Sequence, residues 1–517
     1  MSAEILKPEV ESVQEEEKAT SCLGCFVKKE YQFSRKNALI FALAIAVMAL
    51  VILAPAPPDL KNGTDVIAMS QEGKTVFGVL AFAVILWMTE AIPFSIASLM
   101  MIILLTFFGL CTFDQGINMG LGKEVIMFLT GAMGISAALT SSGLAERIML
   151  ITLSKVGTST RAIVFAFMAM GTAISMWVTD MAVAAMLLPL GITILQAANA
   201  KPLESNFGRA LMIGIVWGCL IGGIATPAGC GPNVVAIGYL KELADTVVTF
   251  PQWMIVGVPA ALMMLPLGYL ILIKVFKPEI DHLPVSPEGI KEQLKYRGKL
   301  DRREINTLII FCVTVFLWLA GPTLRDNFGF ALSDAGIALL GFLLCFVPGL
   351  NVFDKWSEAA REIDWGGLML IAGGLCAGKL LADTGAARYI AWLLLSGLGT
   401  WNPIMRVAMV VVAVELMKIF FSSNSVTGAI VLPLVIALAQ DLNMPAWAIA
   451  GPAAIATSMA YIMVTSSPTN VIPYSAGYFS IKDFAKVGIL MTIVGIACVT
   501  ISVAVFGNFN GMNIWAI

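Results

Sequence analysis

One short pattern occurs twice in this chain and restricts its possible folds more than any other feature. Ser175-Met176-Trp177-Val178-Thr179-Asp180-Met181-Ala182 is a polar break containing an acid, set between residues suited to lipid and followed by Val183 to Pro189. Phe420-Phe421-Ser422-Ser423-Asn424-Ser425-Val426-Thr427-Gly428 repeats it ahead of Pro433. With Pro189 laid on Pro433, Thr179 falls on Ser423, Asp180 on Asn424 and Met181 on Ser425. Irregular polar backbone at membrane depth survives only where protein buries it or where it lines a cavity. The repeated break is therefore the candidate binding site.

Composition supplies the lipid setting. Of 517 residues 58% are hydrophobic and only 13% charged, an apolar share beyond that of soluble domains. The fold class expected is an all-α polytopic membrane protein, with the bilayer as its first partner. A net charge of -2 without a long basic block gives no reason to expect nucleic acid. The nine Cys stand mostly alone inside apolar runs, which suits helix packing and implies no disulfide framework. Cys22 and Cys25 form a C-x-x-C, but no second pair accompanies them and the sole His, His282, is distant, so no zinc site and no other cofactor is expected.

Residues 1–36 read as a cytoplasmic tail, acidic and disordered at its start and without the basic beginning of a signal peptide. Lys28, Lys29, Arg35 and Lys36 precede the first apolar run, Asn37 to Pro55, and place the N-terminus inside. Further spans are expected at Thr75 to Ile92, Ser95 to Leu110, Val125 to Ser142 and Trp253 to Val275. Two longer runs exceed the roughly 20 residues of a simple span. Arg161 to Leu195 reads as a re-entrant hairpin with Thr179-Asp180 at its tip, and Gly208 to Leu240 as a span unwound at Ala225 to Asn233. The basic stretch 274–304 is a cytoplasmic linker, which requires six crossings before it.

The second half repeats this plan with spans at Ile305 to Ala320, Ala335 to Val347 and Leu368 to Leu381, a hairpin at Arg406 to Leu438, a broken span at Ala446 to Ala476 and a last span at Val487 to Val505. Val464 to Asn470 is its unwound stretch. Five crossings leave the C-terminus outside, so the two repeats are inverted, a plan of secondary transporters with a midplane site. The count is about 11 transmembrane helices.

Two charged residues qualify the site. An ionised Asp180 inside a membrane hairpin costs from ~2.5 kcal/mol upward, so something must compensate it. The residues leave three readings open: a cation ligand for a hard ion such as sodium, a proton carrier, or a structural acid paired with a neighbouring group. Lys418 stands one turn before the second tip, where an i,i+3 pair with Glu415 is expected and replacement of a sodium ion is the alternative. Lys379 and Asp383 are expected to pair, and Trp177 to pack rather than to stack on substrate.

Trp87-Met88-Thr89-Glu90-Ala91-Ile92-Pro93, the Ser175-Met176-Trp177 approach, the Ser423-Asn424-Ser425 tip and the two loops that join a proline to an asparagine, Gly229-Cys230-Gly231-Pro232-Asn233 and Ser466-Ser467-Pro468-Thr469-Asn470, together resemble the divalent anion/sodium symporters, carriers of dicarboxylates, citrate and sulfate. The likeness extends over nearly everything after the tail. It implies that tips and unwound loops hold one anion between sodium ions and that a homodimer moves the site by an elevator motion. Carried onto this chain, it implies substrate contacts from Thr179, Asp180, Cys230, Ser423, Asn424, Ser425, Ser467 and Pro468. One sodium would be held by Ser175, Thr179, Asp180, Gly229 and Asn233, and a second by Asn424 and Ser466. The family hydroxyl kept as Ser175 has become Ile419 in the second repeat, and the family asparagine of the first tip has become Asp180.

The domains that follow are scaffold parts at 37–160 and 305–401 and transport parts at 161–273 and 402–517. The function expected is secondary transport of an organic dianion, a C4-dicarboxylate, with sodium in a plasma membrane. Rivals are a sulfate or sulfonate carrier, a sodium-independent exchanger and a gated anion channel. An enzyme is not expected, since no nucleophile elbow or metal spacing occurs.

Overall fold

In the computed structural model the chain is described over residues 34–62, 65–283, 295–395 and 401–512. The expected acidic tail, including Cys22, Cys25, Lys28 and Lys29, lies outside the described residues, as does part of the basic linker. Helices dominate. After α1 (Arg35–Leu53), capped by the Ser34 hydroxyl, a small antiparallel pair of strands, β1 (Leu60–Asn62) and β2 (Asp65–Ile67), turns the chain back.

Two series of helices then follow in the same order. The first is α2 (Gln71–Thr89), α3 (Phe94–Phe107), the short α4 (Phe113–Met119), α5 (Glu124–Ser141), α6 (Leu144–Val156), the hairpin α7 (Thr160–Ser175) and α8 (Asp180–Ala197), the broken helix α9 (Asn206–Gly223) and α10 (Gly231–Ala244), and α11 (Phe250–Val275). The second is α12 (Arg302–Phe328), α13 (Asp334–Leu344), the short α14 (Trp356–Glu362), α15 (Trp365–Asp383), α16 (Ala386–Leu395), the hairpin α17 (Pro403–Lys418) and α18 (Asn424–Asp441), the broken helix α19 (Ala446–Ser458) and α20 (Pro468–Tyr474), and α21 (Ile481–Phe506). The packing repeats as well: α7 lies on α9 as α17 lies on α19, and α5 meets α13 as α3 meets α15.

Every span expected from the sequence has its helix. Ten helices among the described residues are long and apolar enough to cross a membrane, but they are not the set counted from hydropathy. They include the hairpin limbs α8 and α18 and omit α3 and α13, which are 14 and 11 residues long. At 1.5 Å per residue those two are shorter than a ~30 Å hydrocarbon core. The amphipathic α6 and α16, which lead into the two hairpins, are not among the expected spans, since they are short and carry charge, although Glu146, Arg147 and Lys155 among Leu144, Met149, Leu150 and Leu153 give α6 a helical pattern.

The breaks are held by close backbone contact. A methyl group at Gly257 of α11 would lie 2.7 Å from the Ala225 carbonyl oxygen, and one at Gly488 of α21 would overlap the Tyr461 carbonyl. Small residues let backbones approach in this way, and here each series' last helix rests directly on its own break. The first break runs from Ile224 to Cys230, close to expectation. The second opens at Met459, earlier than the expected Val464, and encloses a short 3-10 turn at Val464–Ser466. Unwinding there begins after Ser458, without waiting for Pro468, which sits at the start of α20.

Candidate functional site

The two hairpins turn in the same register. Thr179 precedes α8 and Asp180 begins it, while Ser423 precedes α18 and Asn424 begins it. Helices α10 and α20 begin just past the breaks, at Gly231 and Pro468. The first turn of a helix leaves backbone N–H groups without partners. At Ser423 the hydroxyl accepts from the Val426 N–H at 3.4 Å, but Thr179, Cys230 and Ser467 make no such side-chain cap. Helix starts of this kind attract anions.

Tips and breaks meet one another crosswise. Asn424 Nδ2 is 3.9 Å from Cys230 Sγ, and Ser458 Oγ is 3.4 Å from the same sulfur. A methyl group at Gly231 would lie 2.8 Å from Ser425 Oγ, so the second tip rests on the first break. The first tip in turn faces the second break: α8 packs on α20, and the Thr469 hydroxyl stands against the Asp180 carboxylate. Asp180 also accepts the Met181 N–H at 2.9 Å. Thr469 is a site residue that sequence reasoning passed over, although it lies inside the stretch read as unwound.

Each break is closed by its asparagine. Asn233 Nδ2 donates to the Gly223 and Thr226 carbonyls, both at 2.8 Å, and Asn470 Nδ2 donates to those of Ala460 at 2.7 Å and Met463 at 3.1 Å. The acceptors stand ten and seven residues ahead of the asparagine in both cases. Asn233 Oδ1, Asn470 Oδ1, Asn424 Oδ1 and Ser175 Oγ are buried and have no hydrogen-bond partner among the described residues.

The cation ligands expected in the first half converge. A methyl group at Gly229 would lie 2.6 Å from the Gly223 carbonyl oxygen and 2.9 Å from that of Ser175, so only glycine fits there. One at Gly223 would be 3.7 Å from Asp180 Cβ. Ser175, Gly223, Gly229 and Asp180 thus stand close together, and the oxygen atoms they carry are of the kind that suits a hard cation such as sodium. The Thr226 hydroxyl donates to the Met176 carbonyl and fixes the tip over the break. The Thr179 N–H lies 3.4 Å from Ser136 Oγ of α5.

The second half differs. Lys418, 2% exposed, directs Nζ to the Ser466 carbonyl oxygen at 2.8 Å, and Ser466 Oγ lies 3.4 Å from the Lys418 carbonyl. The ion pair expected between Lys418 and Glu415 is not formed. Glu415 makes no ion pair among the described residues, and its buried Oε1 has no hydrogen-bond partner. The ammonium is instead directed to a carbonyl in the break, with the Glu415 charge nearby but outside salt-bridge distance. Ser467 is buried, whereas Pro468 is exposed. Lys379 does pair with Asp383, at 2.6 Å. Trp177 packs as expected, stacked on Phe250 at 6.2 Å and edge-on to Phe311 at 5.5 Å.

A cavity of about 370 Å³ lies elsewhere, between α5, α10 and α13, and reaches the first break at Pro227 and Val234. Two crossed ion pairs, Lys123 with Glu242 and Lys241 with Glu124, both at 2.6 Å, join α10 to the start of α5 beside it. It does not contain the hairpin tips.

Residues 35–512 match the family described as sodium:sulfate symporter transmembrane region. The chain is similar to a protein of Staphylococcus saprophyticus named sodium-dependent dicarboxylate transporter SdcS, with 28% identity over 492 residues and 92% of each sequence covered. A protein of the same name in Staphylococcus aureus is 28% identical over 483 residues, covering 90% of each. Among solved structures, the YdaH transporter of Alcanivorax borkumensis, described as having an unusual topology, is similar with a TM-score of 0.55 at 14% identity, covering 92% of this chain and 97% of that one. That likeness bears on the fold alone.

Proposed function

The chain belongs to the sodium:sulfate symporter family, a family of transporters and not of enzymes, and from this premise we propose that it carries a C4-dicarboxylate together with sodium. The observation that carries the reading is the convergence of two hairpin tips and two helix breaks on one space. Helix starts at Asp180, Gly231 and Asn424 offer free N–H groups to a carboxylate. Ser423, Asn424 and Ser425 add hydroxyl and amide donors from one side, and Thr179 with Ser467 from the other. Sodium is held beside the anion by Ser175, Asp180 and the Gly223 and Gly229 carbonyls. The relatives' names, sodium-dependent dicarboxylate transporter, point the same way.

The mechanism follows from charge and geometry. Helix dipoles alone draw an anion weakly, and a cation bound among the neighbouring oxygens raises the positive potential where the dianion sits. Binding of either then favours the other, which is the basis of coupling. The tips and breaks at 161–273 and 402–517 travel as one transport part against a scaffold of 37–160 and 305–401, in an elevator motion within a homodimer. The N-terminus is cytoplasmic, the membrane is the plasma membrane, and the two series are inverted with respect to it.

Purified protein in proteoliposomes tests this reading. Succinate uptake should saturate, require an inward sodium gradient and be accelerated by succinate already inside the vesicles. Sulfate uptake in preference to succinate would favour the rival reading, to which the exposed, apolar Met181 at the first tip lends support. Non-saturating flux would mark a channel.

A further inference from the structure

The two halves of the site are built on one plan, so they can be overlaid residue by residue. At the tips Ser175 corresponds to Ile419 and Ile174 to Lys418, and at the breaks Gly229 corresponds to Ser466 and Asn233 to Asn470. In the first half the Ser175 hydroxyl, buried and without a hydrogen-bond partner among the described residues, and the carbonyls crowded around Gly229 lie where hairpin and break meet. Oxygen donors gather there, and among the described residues no Lys or Arg is hydrogen-bonded to the Ser175, Gly223 or Gly229 carbonyl. In the second half the equivalent carbonyl, that of Ser466, receives the Lys418 ammonium at 2.8 Å. The equivalent hydroxyl is gone, and Ile419, 37% exposed, turns away.

We propose that the Lys418 ammonium is a built-in cation occupying the second coupling-ion position, so that one sodium ion accompanies each dianion. The proposal rests on the sodium-coupled reading above. Three further features support it. Lys418 is almost wholly buried although burying an ammonium is costly, and the expected partner for such a charge, Glu415, is not in salt-bridge contact. The ammonium is therefore aimed into the site instead of back along its own helix. Its field is felt first at Glu415 on its own helix, and then at Cys230 and Asp180, on the opposite break and the opposite tip. A sodium ion placed beside it would meet a like charge in a poorly screened interior, and would find its carbonyl ligand already engaged. Because the lysine is covalently attached, it contributes positive potential in every cycle without drawing on the sodium gradient.

The stoichiometry has an electrical signature that wild-type protein alone can show. One sodium ion with one dianion moves net negative charge inward, whereas two would be electroneutral. Uptake of succinate into proteoliposomes under a fixed sodium gradient should therefore speed up when a potassium diffusion potential makes the interior positive. The sodium activation curve should have a Hill slope of about 1, since the slope is bounded by the number of cooperating sites. Replacing Lys418→Ser with Ile419→Ser restores a hydroxyl and frees the carbonyl. That variant should need more sodium for half-maximal uptake, raise the slope toward about 2 and lose the response to potential, while Lys418→Arg should keep all three wild-type properties. Sodium-driven uptake indifferent to potential in the wild type, with a slope near 2 that Lys418→Ser leaves unchanged, would overturn the proposal while leaving sodium coupling intact. Uptake indifferent to sodium would overturn the coupling reading itself, and this proposal with it. If the double variant fails to fold, the wild-type potential response still decides.

Discussion

The two half-sites share a backbone plan and differ in what fills it. In the first, Asp180, Ser175 and the carbonyls near Gly229 bring oxygen atoms close together at a point where only a glycine fits. In the second, Lys418 bonds to the Ser466 carbonyl and a neutral Asn424 stands where the first has its carboxylate. The asparagine clamps are the same in both, down to the spacing of the carbonyls they hold. On the reading proposed above, an internal repeat preserves its architecture while its two copies differ by single substitutions, an acid in one and a base in the other.

Several substitutions would break or sharpen this contrast, beginning with the largest effect. Asn424→Ala should abolish succinate uptake while leaving the purified protein folded by size-exclusion chromatography, since Asn424 has both a donor and an unpartnered oxygen at the centre of the site. Normal uptake would remove the second tip from the site. Gly229→Ala should raise the sodium concentration for half-maximal uptake by tenfold or more, on the order of 1.4 kcal/mol, because the added methyl group meets two carbonyl oxygens. The corresponding Ser466→Ala should change sodium activation little, given that its hydroxyl makes only a long contact with the Lys418 carbonyl.

The asparagines offer a matched pair between these extremes. Asn233→Ala and Asn470→Ala each remove two bonds to buried carbonyls, so each should destabilise the protein by about 1–3 kcal/mol, read as similar falls in thermal midpoint. Only Asn233→Ala should also weaken sodium activation. Equal effects of both on sodium dependence would mean that the halves are functionally alike.

Much of this was legible in the chain because its strongest signals are periodic or repeated. Pro189 and Pro433 set the register that places Asp180 and Asn424 at the two helix starts, and long apolar runs located both hairpins and both broken helices. What could not be read were contacts across the repeats. Nothing in the sequence brings Thr469 to Asp180 or Ser458 to Cys230, and only the family resemblance put Cys230 and Asn424 at one site, since those meetings depend on helices packing from opposite ends of the chain. The Glu415–Lys418 pair was misjudged in a related way: local spacing puts the two on one helix face, yet the ammonium is directed to a carbonyl 48 residues away. The second break opened earlier than expected because contact with α21 at Gly488, and no local proline, is what accompanies the unwinding at Tyr461.

The central claim is that Asp180 serves the site as a sodium ligand, and sodium and pH titrations of succinate uptake in three proteins test it most directly. Wild-type uptake should rise with external sodium at constant pH. Asp180→Asn, which keeps one oxygen but loses the charge, should need several-fold more sodium, and Asp180→Ala should lose the sodium response together with most of its uptake. Wild-type uptake that ignores sodium and follows an imposed proton gradient, with the pH response absent in Asp180→Asn, would contradict the claim and make this carboxylate a proton carrier.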